Sequence, residues 1–135
     1  MIQPGNLPLR GNRYTPLIYT LNFEGVDLTD ANFEAQVRDR KDGGMVRVDL
    51  VTVLTDEEGI ELESAGLVED VMTSVVIIRI DEATMAAMPY GTEQGLDDAY
   101  LWWDLHITPD AGIKQVYLYG VFTVTAGVTY TGVDS

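Results

Sequence analysis

Residues that could do chemistry are few in this chain, and they fall in three places. His106 is the single histidine, two residues from Asp104 in the run WWDLHITPD. A carboxylate beside an imidazole can orient it as a base, but proton transfer needs a nucleophile or a substrate alongside. Ser64, Ser74 and Ser135 lack a nucleophile-elbow context, and no strand leads into a glycine-rich phosphate loop. His106 therefore reads as structural. The second place is acidic: DEEGIELE (56–63) and Asp97–Asp98 offer the hard oxygen ligands that suit calcium. Neither shows the ordered, alternating spacing of a ligand loop, so both read as solvated faces. With no cysteine in the chain, disulfides, thiolate nucleophiles and cysteine-based zinc sites are excluded. The expectation is a protein that is not an enzyme, with no catalytic residue, metal or cofactor.

The third place is aromatic. In AYLWWDLHITPDAGIKQVYLYGVFTVTAGVTY (99–130), Leu101, Trp103, Leu105 and Ile107 alternate with Tyr100, Trp102, Asp104 and His106. Such alternation puts the two sets on opposite faces of a strand. TPDAG supplies a turn, and on the return strand Val116, Leu118, Gly120, Phe122 and Val124 match the inner set. Tyr117, Tyr119, Val121 and Thr123 are expected to face outward. Trp103 belongs to the core, which leaves Tyr100, Trp102, Tyr117 and Tyr119 as an outer aromatic face. Three readings fit: mutual packing on a solvated surface, burial against another protein, or a platform on which sugar rings stack.

The elements that would carry this face are strands almost throughout. LIYTLNF and NFEAQVRDR alternate with period two, and KDGG supplies a hairpin-type turn. MVRVDLVTVL, a short IELES and the β-branched SVVIIRI follow, with TDEEG as a further turn. DEATMAAMPYG breaks the pattern: Asp81 is a capping candidate, good helix formers follow, and Pro89 and Gly91 stop them. Met85 and Met88 then face the core from a short connecting helix. TEQGLDDA is a polar loop. About seven strands at short spacing predict an all-β protein, an immunoglobulin-like antiparallel β-sandwich with one short helix.

The 135 residues fit one domain, large enough to bury a core unaided. The net charge of −14 repels nucleic acid and anionic membranes. No run approaches about 18 apolar residues, and no basic-headed leader opens the sequence, so neither a membrane nor nucleic acid is an expected partner. Acids crowd between Glu24 and Asp104, whereas the lead segment MIQPGNLPLRGNRYTP has none and carries Arg10 and Arg13. Residues 1–13 are expected as an extended arm, 14–130 as the sandwich and 131–135 as a tail. Pro4, Gly5, Pro8 and Gly11 keep the arm from becoming a helix. Leu7, Leu9, Arg10 and Arg13 are its candidates for docking on an acidic neighbour.

The segments VDLTDANFEAQVRD, IDEATMAAMPYG and the closing WWDLH and GVFTVT hairpin carry a resemblance. Their order resembles a group of small bacteriophage proteins and is similar to the N-terminal immunoglobulin-like domain of phage baseplate upper proteins. Asp27-Leu28-Thr29 and Trp103-Asp104-Leu105 match best, and the likeness runs from about Leu17 to Thr129. Departures are Asp30 where the group usually has glycine, the TEQGLDDA loop, and the segment ahead of Thr15. The resemblance implies a non-enzymatic structural protein of the virion, assembled in the host cytoplasm and attached to tail, baseplate or fibre. Its partners would be other virion proteins and copies of itself. The leading segment raises capsid decoration as an alternative, and the aromatic face a carbohydrate-binding module.

Overall fold

The computed structural model describes residues 4–40, 44–54, 57–89 and 98–125. Most of the KDGG turn, part of TDEEG, nearly all of the TEQGLDDA loop and residues 126–135 lie outside the described residues. The strands are β1 (Gly5–Asn6), β2 (Leu9–Asn12), β3 (Leu17–Glu24), β4 (Asn32–Arg38), β5 (Val46–Val51), β6 (Gly59–Val68), β7 (Val71–Ile80), β8 (Ala99–Thr108) and β9 (Gln115–Thr125). Among the described residues there is one helix, α1 (Glu82–Ala86), which directly follows β7.

Two sheets face each other. The larger has the order β1-β9-β8-β4-β5, with β2 also on β9, and the smaller has the order β3-β7-β6. In immunoglobulin-type sandwiches the second, fifth and fourth strands form one sheet, and the seventh, sixth and third form the other, extended by C′ in variable-type domains. With β3 as the second strand and β5 as C′, the order observed here is that arrangement. The protein is an all-β, immunoglobulin-like sandwich. Alternation dictates the layers: Phe33, Ala35 and Val37 from β4 and Leu101, Trp103, Leu105 and Ile107 from β8 point inward. They meet Leu17, Leu21, Val76, Ile78 and Ile80 from the small sheet. Met85 and Met88 close the core from α1 and the turn after it.

Three features depart from the sequence expectation. The sheets are not wholly antiparallel, because β1 and β2 run parallel to β9: Gly5 pairs with Leu118 and Leu9 with Phe122. Gly5–Asn6 and Leu9–Asn12, within the segment expected as an extended arm over 1–13, are thus laid along the last strand. The second departure is that IELES is only part of β6, which forms a long hairpin with β7 through Glu69 and Asp70. Both turn residues have positive φ, 48° and 70°, the backbone of the hairpin turns that usually take Asn-Gly. Neither residue advertises such a turn.

The third concerns β9. Leu105 pairs with Leu118 but His106 pairs with Val116, so Tyr117 is an extra residue in the ladder. A bulge shifts side-chain parity by one. Tyr117 consequently turns to the core, edge-on to Phe23 with ring centroids 6.1 Å apart, and Val116 takes the outer face. The expectations for these two neighbours are therefore exchanged.

The Asp27-Leu28-Thr29 stretch is a turn anchored from both sides. The Asp27 carboxylate accepts hydrogen bonds from the Thr29 amide (3.0 Å) and hydroxyl (2.6 Å), which hold its pKa below the ordinary value. Buried Ser74 accepts from the Leu28 amide and donates to the Val26 carbonyl, seating Leu28 in the core. Asp30 has φ 61°, a left-handed conformation that glycine adopts freely and that Asp tolerates.

Candidate functional site

The outer face of the large sheet brings together most of the residues singled out for chemistry. On β8, Tyr100, Trp102, Asp104 and His106 point away from the core, as their alternation requires. Pairing then sets Arg38 of β4 beside Trp102, Gln36 beside Asp104 and Glu34 beside His106. From the other side, Val121 lies opposite Trp102 and Tyr119 opposite Asp104. Tyr100 is 68% exposed, whereas Trp102 and Tyr119 are half-buried.

Two shallow depressions divide this face. The aromatic one, about 210 Å³, is lined by Trp102, Tyr119, Val116, Gln36, Arg38 and Asp104, among others. The polar one, about 320 Å³, is lined by Glu34, Gln36, Arg38, Asp49, Asp104, His106 and Lys114, with Val51 at its edge. In the polar half the Lys114 ammonium donates to Glu34 at 2.6 Å and holds that carboxyl below its ordinary pKa, more strongly than partial burial raises it. His106 Nε2 lies 3.2 Å from the Asp104 carboxylate. Arg38 donates to the Gln36 amide oxygen through Nε at 3.1 Å and Nη2 at 2.5 Å. Beyond the rim, Arg47 grips Asp39 with two bonds, 2.6 and 3.0 Å, which lower the Asp39 pKa and raise that of Arg47.

This arrangement offers an aromatic surface beside a set of polar groups. The lining of the polar depression contains an imidazole–carboxylate pair but no serine, threonine or cysteine for it to activate. Lys114 is tied to Glu34, His106 lies beside Asp104 and Arg38 holds the Gln36 amide, so the depression presents oriented donors and acceptors next to an aromatic surface. Among the described residues no cluster of three or more His, Cys, Asp or Glu could hold a metal ion, and no helix is long and apolar enough to cross a membrane.

The other expected docking residues sit elsewhere. Leu9 is 2% exposed, fills the core beneath β9 and offers nothing to a neighbour. Arg13 is wholly buried, donating to the Met88 carbonyl at 2.5 Å and the Pro89 carbonyl at 2.8 Å, and so fastens the turn after β2 to the segment that follows α1. Leu7 is half-buried; its amide donates to the Tyr119 carbonyl and its carbonyl accepts from the Trp103 indole, both at 2.8 Å. Arg10 remains on the surface, 3.5 Å from Asp98 of the same chain. Leu7, Leu9 and Arg13 are corrected from docking candidates to parts of the sandwich, because a buried parallel strand uses them internally. Tyr117 leaves the outer face with them.

Gln36, Arg38, Glu34, Lys114 and Val116 belong to the site and were not singled out in the sequence. The polar face of NFEAQVRDR carries the first three, but only the register of β4 against β8 sets them beside Trp102 and His106.

No family model matches the chain, and no curated protein matches it. A solved structure from a study of multimeric cell-adhesive interactions of VGSC beta subunits is similar at 8% identity and a TM-score of 0.39. The match covers 90% of this chain and 96% of that one. A likeness this loose has no bearing on what the chain does.

Proposed function

We propose that this chain is a non-enzymatic docking domain of a bacteriophage virion, attached to tail, baseplate or fibre through the outer face of its large sheet. The observation that carries the docking role is the grouping of half-buried Trp102, Tyr119 and Val116 beside exposed Tyr100. Tryptophan and tyrosine backed by arginine are the side chains that dominate protein–protein interface energies. The virion setting rests on the sequence resemblance in the DLT, WDL and closing-hairpin segments. Capsid decoration stays the alternative, although Gly5–Asn6 and Leu9–Asn12 of the segment that suggested it are paired along β9.

The test is particle incorporation. Virion mass spectrometry should find the protein, and Trp102→Ala or Tyr119→Ala should cut its incorporation about tenfold or more, with the fold intact. His106→Ala should leave incorporation unchanged. Absence from particles, or full incorporation of both aromatic variants, would refute the reading. One observation favours a second reading, a carbohydrate-binding module: the aromatic depression sets Trp102 among Gln36, Arg38 and Asp104, which could hydrogen-bond sugar hydroxyls. Glycan binding lost in Trp102→Ala would decide for it.

A further inference from the structure

Among the described residues the small sheet has an open edge at β3. Residues 5–12, which precede β3, are paired with β9 in the other sheet, and among the described residues β3 is hydrogen-bonded to β7 alone. The pairing of Leu17–Glu24 with β7 runs through all eight residues without a register shift. Natural sheets blunt such edges with lysine, proline, bulges or very short strands. LIYTLNFE has none of these, and its one charge, Glu24, is at the far end.

The ladder also fixes which groups point outward. The Gly25 amide donates to the Met72 carbonyl at 2.6 Å. Bonded and non-bonded pairs alternate in an antiparallel ladder. Phe23, Leu21 and Tyr19 are therefore the residues bonded to β7, and Ile18, Thr20, Asn22 and Glu24 turn their N–H and C=O groups to the open edge.

We propose that two copies of this chain join through these edges, antiparallel about a two-fold axis at Leu21, forming one continuous six-stranded sheet. In this register Thr20 pairs with Asn22 of the second copy and Ile18 with its Glu24, so all four outward residues are satisfied. On the core side Leu21 meets Leu21, and Tyr19 meets Phe23 of the second copy. Tyr19 and Phe23 are half-buried at the rim of the core, and the pairing covers each with the other. The two Glu24 carboxylates end up at opposite ends of the seam. A parallel pairing would set them side by side and lose the aromatic match. The inference concerns a different surface from the outer face and stands whatever that face binds.

Each copy carries a net charge of −14, so association must strengthen as salt screens the repulsion. Sedimentation of the full chain over a wide concentration range, at low and high salt, should show a monomer–dimer equilibrium that tightens with salt. Thr20→Pro removes one outward N–H without touching the β3–β7 ladder and should weaken the dimer about tenfold or more. The exposed double change Thr20→Lys with Asn22→Lys sets like charges opposite each other across the seam and should abolish the dimer in a folded chain. Trp102→Ala should leave it intact. A monomer under all conditions would overturn the proposal, as would a dimer that survives both β3 variants or is lost with Trp102→Ala. So would Thr20 and Asn22 amides that resist exchange in the dilute monomer, since the chain itself would then cover the edge.

Discussion

Gly120→Ala is the sharpest probe of how the sandwich holds its first strands. A β-carbon at position 120 would stand 2.6 Å from the Leu7 carbonyl oxygen and 2.9 Å from its carbon, both backbone atoms that cannot rotate aside. The Leu7 segment has to move. Its movement stretches two hydrogen bonds, from the Leu7 amide to Tyr119 and from the Trp103 indole to Leu7. At about 0.5–1.5 kcal/mol each, their loss costs about 1–3 kcal/mol. If the segment lifts as far as Leu9, exposing that side chain adds about 1.5–3 kcal/mol. An overall loss of about 1–3 kcal/mol is expected, rising to about 2.5–6 kcal/mol if Leu9 is exposed, and at this length each kcal/mol lowers Tm by about 3–5 °C. Thermal unfolding measures the loss, and amide exchange at Leu7 reports whether the segment has lifted. Gly66→Ala is the control, because nothing lies within 4 Å of a β-carbon there. A wild-type Tm with a protected Leu7 amide, or an equal loss in Gly66→Ala, would refute the reasoning.

Trp103→Ala should cost about 3–5 kcal/mol in urea unfolding, against under about 1 kcal/mol for Trp102→Ala; equal losses would place both indoles in the core. Tyr117→Ala should destabilise by about 1–3 kcal/mol and Tyr119→Ala by clearly less, the reverse ranking contradicting the bulge. Arg13→Met strands two carbonyls and should lose about 2–5 kcal/mol, measured by the same unfolding; a loss within 0.5 kcal/mol, the roughly neutral range for surface changes, would mean solvent reaches them. The depressed Glu34 carboxyl contributes stability that is present above its ordinary pKa of 4.5 and is lost as pH falls through the depressed value. Lys114→Met should return Glu34 toward 4.5 in an NMR titration, and an unmoved titration would show that the pair is not formed in solution.

Much of the fold is legible in the sequence because alternation survives wherever one face is buried. β3, β4 and β8 read directly, as does the short helix with Met85 and Met88 inward. What alternation cannot convey is an added residue. The bulge at Tyr117, just before Leu118, leaves QVYLYG looking like a regular strand, and only its register against β8 reverses Tyr117 and Val116. Parallel pairing is equally silent, since NLPLRGN is too short and too rich in glycine and proline to show a period. Its burial comes from β9, far along the chain. Arg13 is hidden for another reason: an arginine looks solvent-bound until two helix-end carbonyls converge on it. The Glu69–Asp70 turn lacks glycine and asparagine, so the β6–β7 hairpin announces itself by neither turn chemistry nor spacing.

The parallel seam between β1, β2 and β9 also orders events in time. The Trp103–Leu7 bond joins residues 96 apart, and the pairs on β9 are more distant still. Loop closure over such separations is slow and brings no reward until both partners exist. During synthesis the leading residues emerge first and find no strand to join until β9 has left the ribosome. The β3–β7 and β6–β7 ladders can form well before that, leaving Leu9 to be drawn in last. Closing the seam is therefore the step that turns a partly assembled sandwich into a finished one.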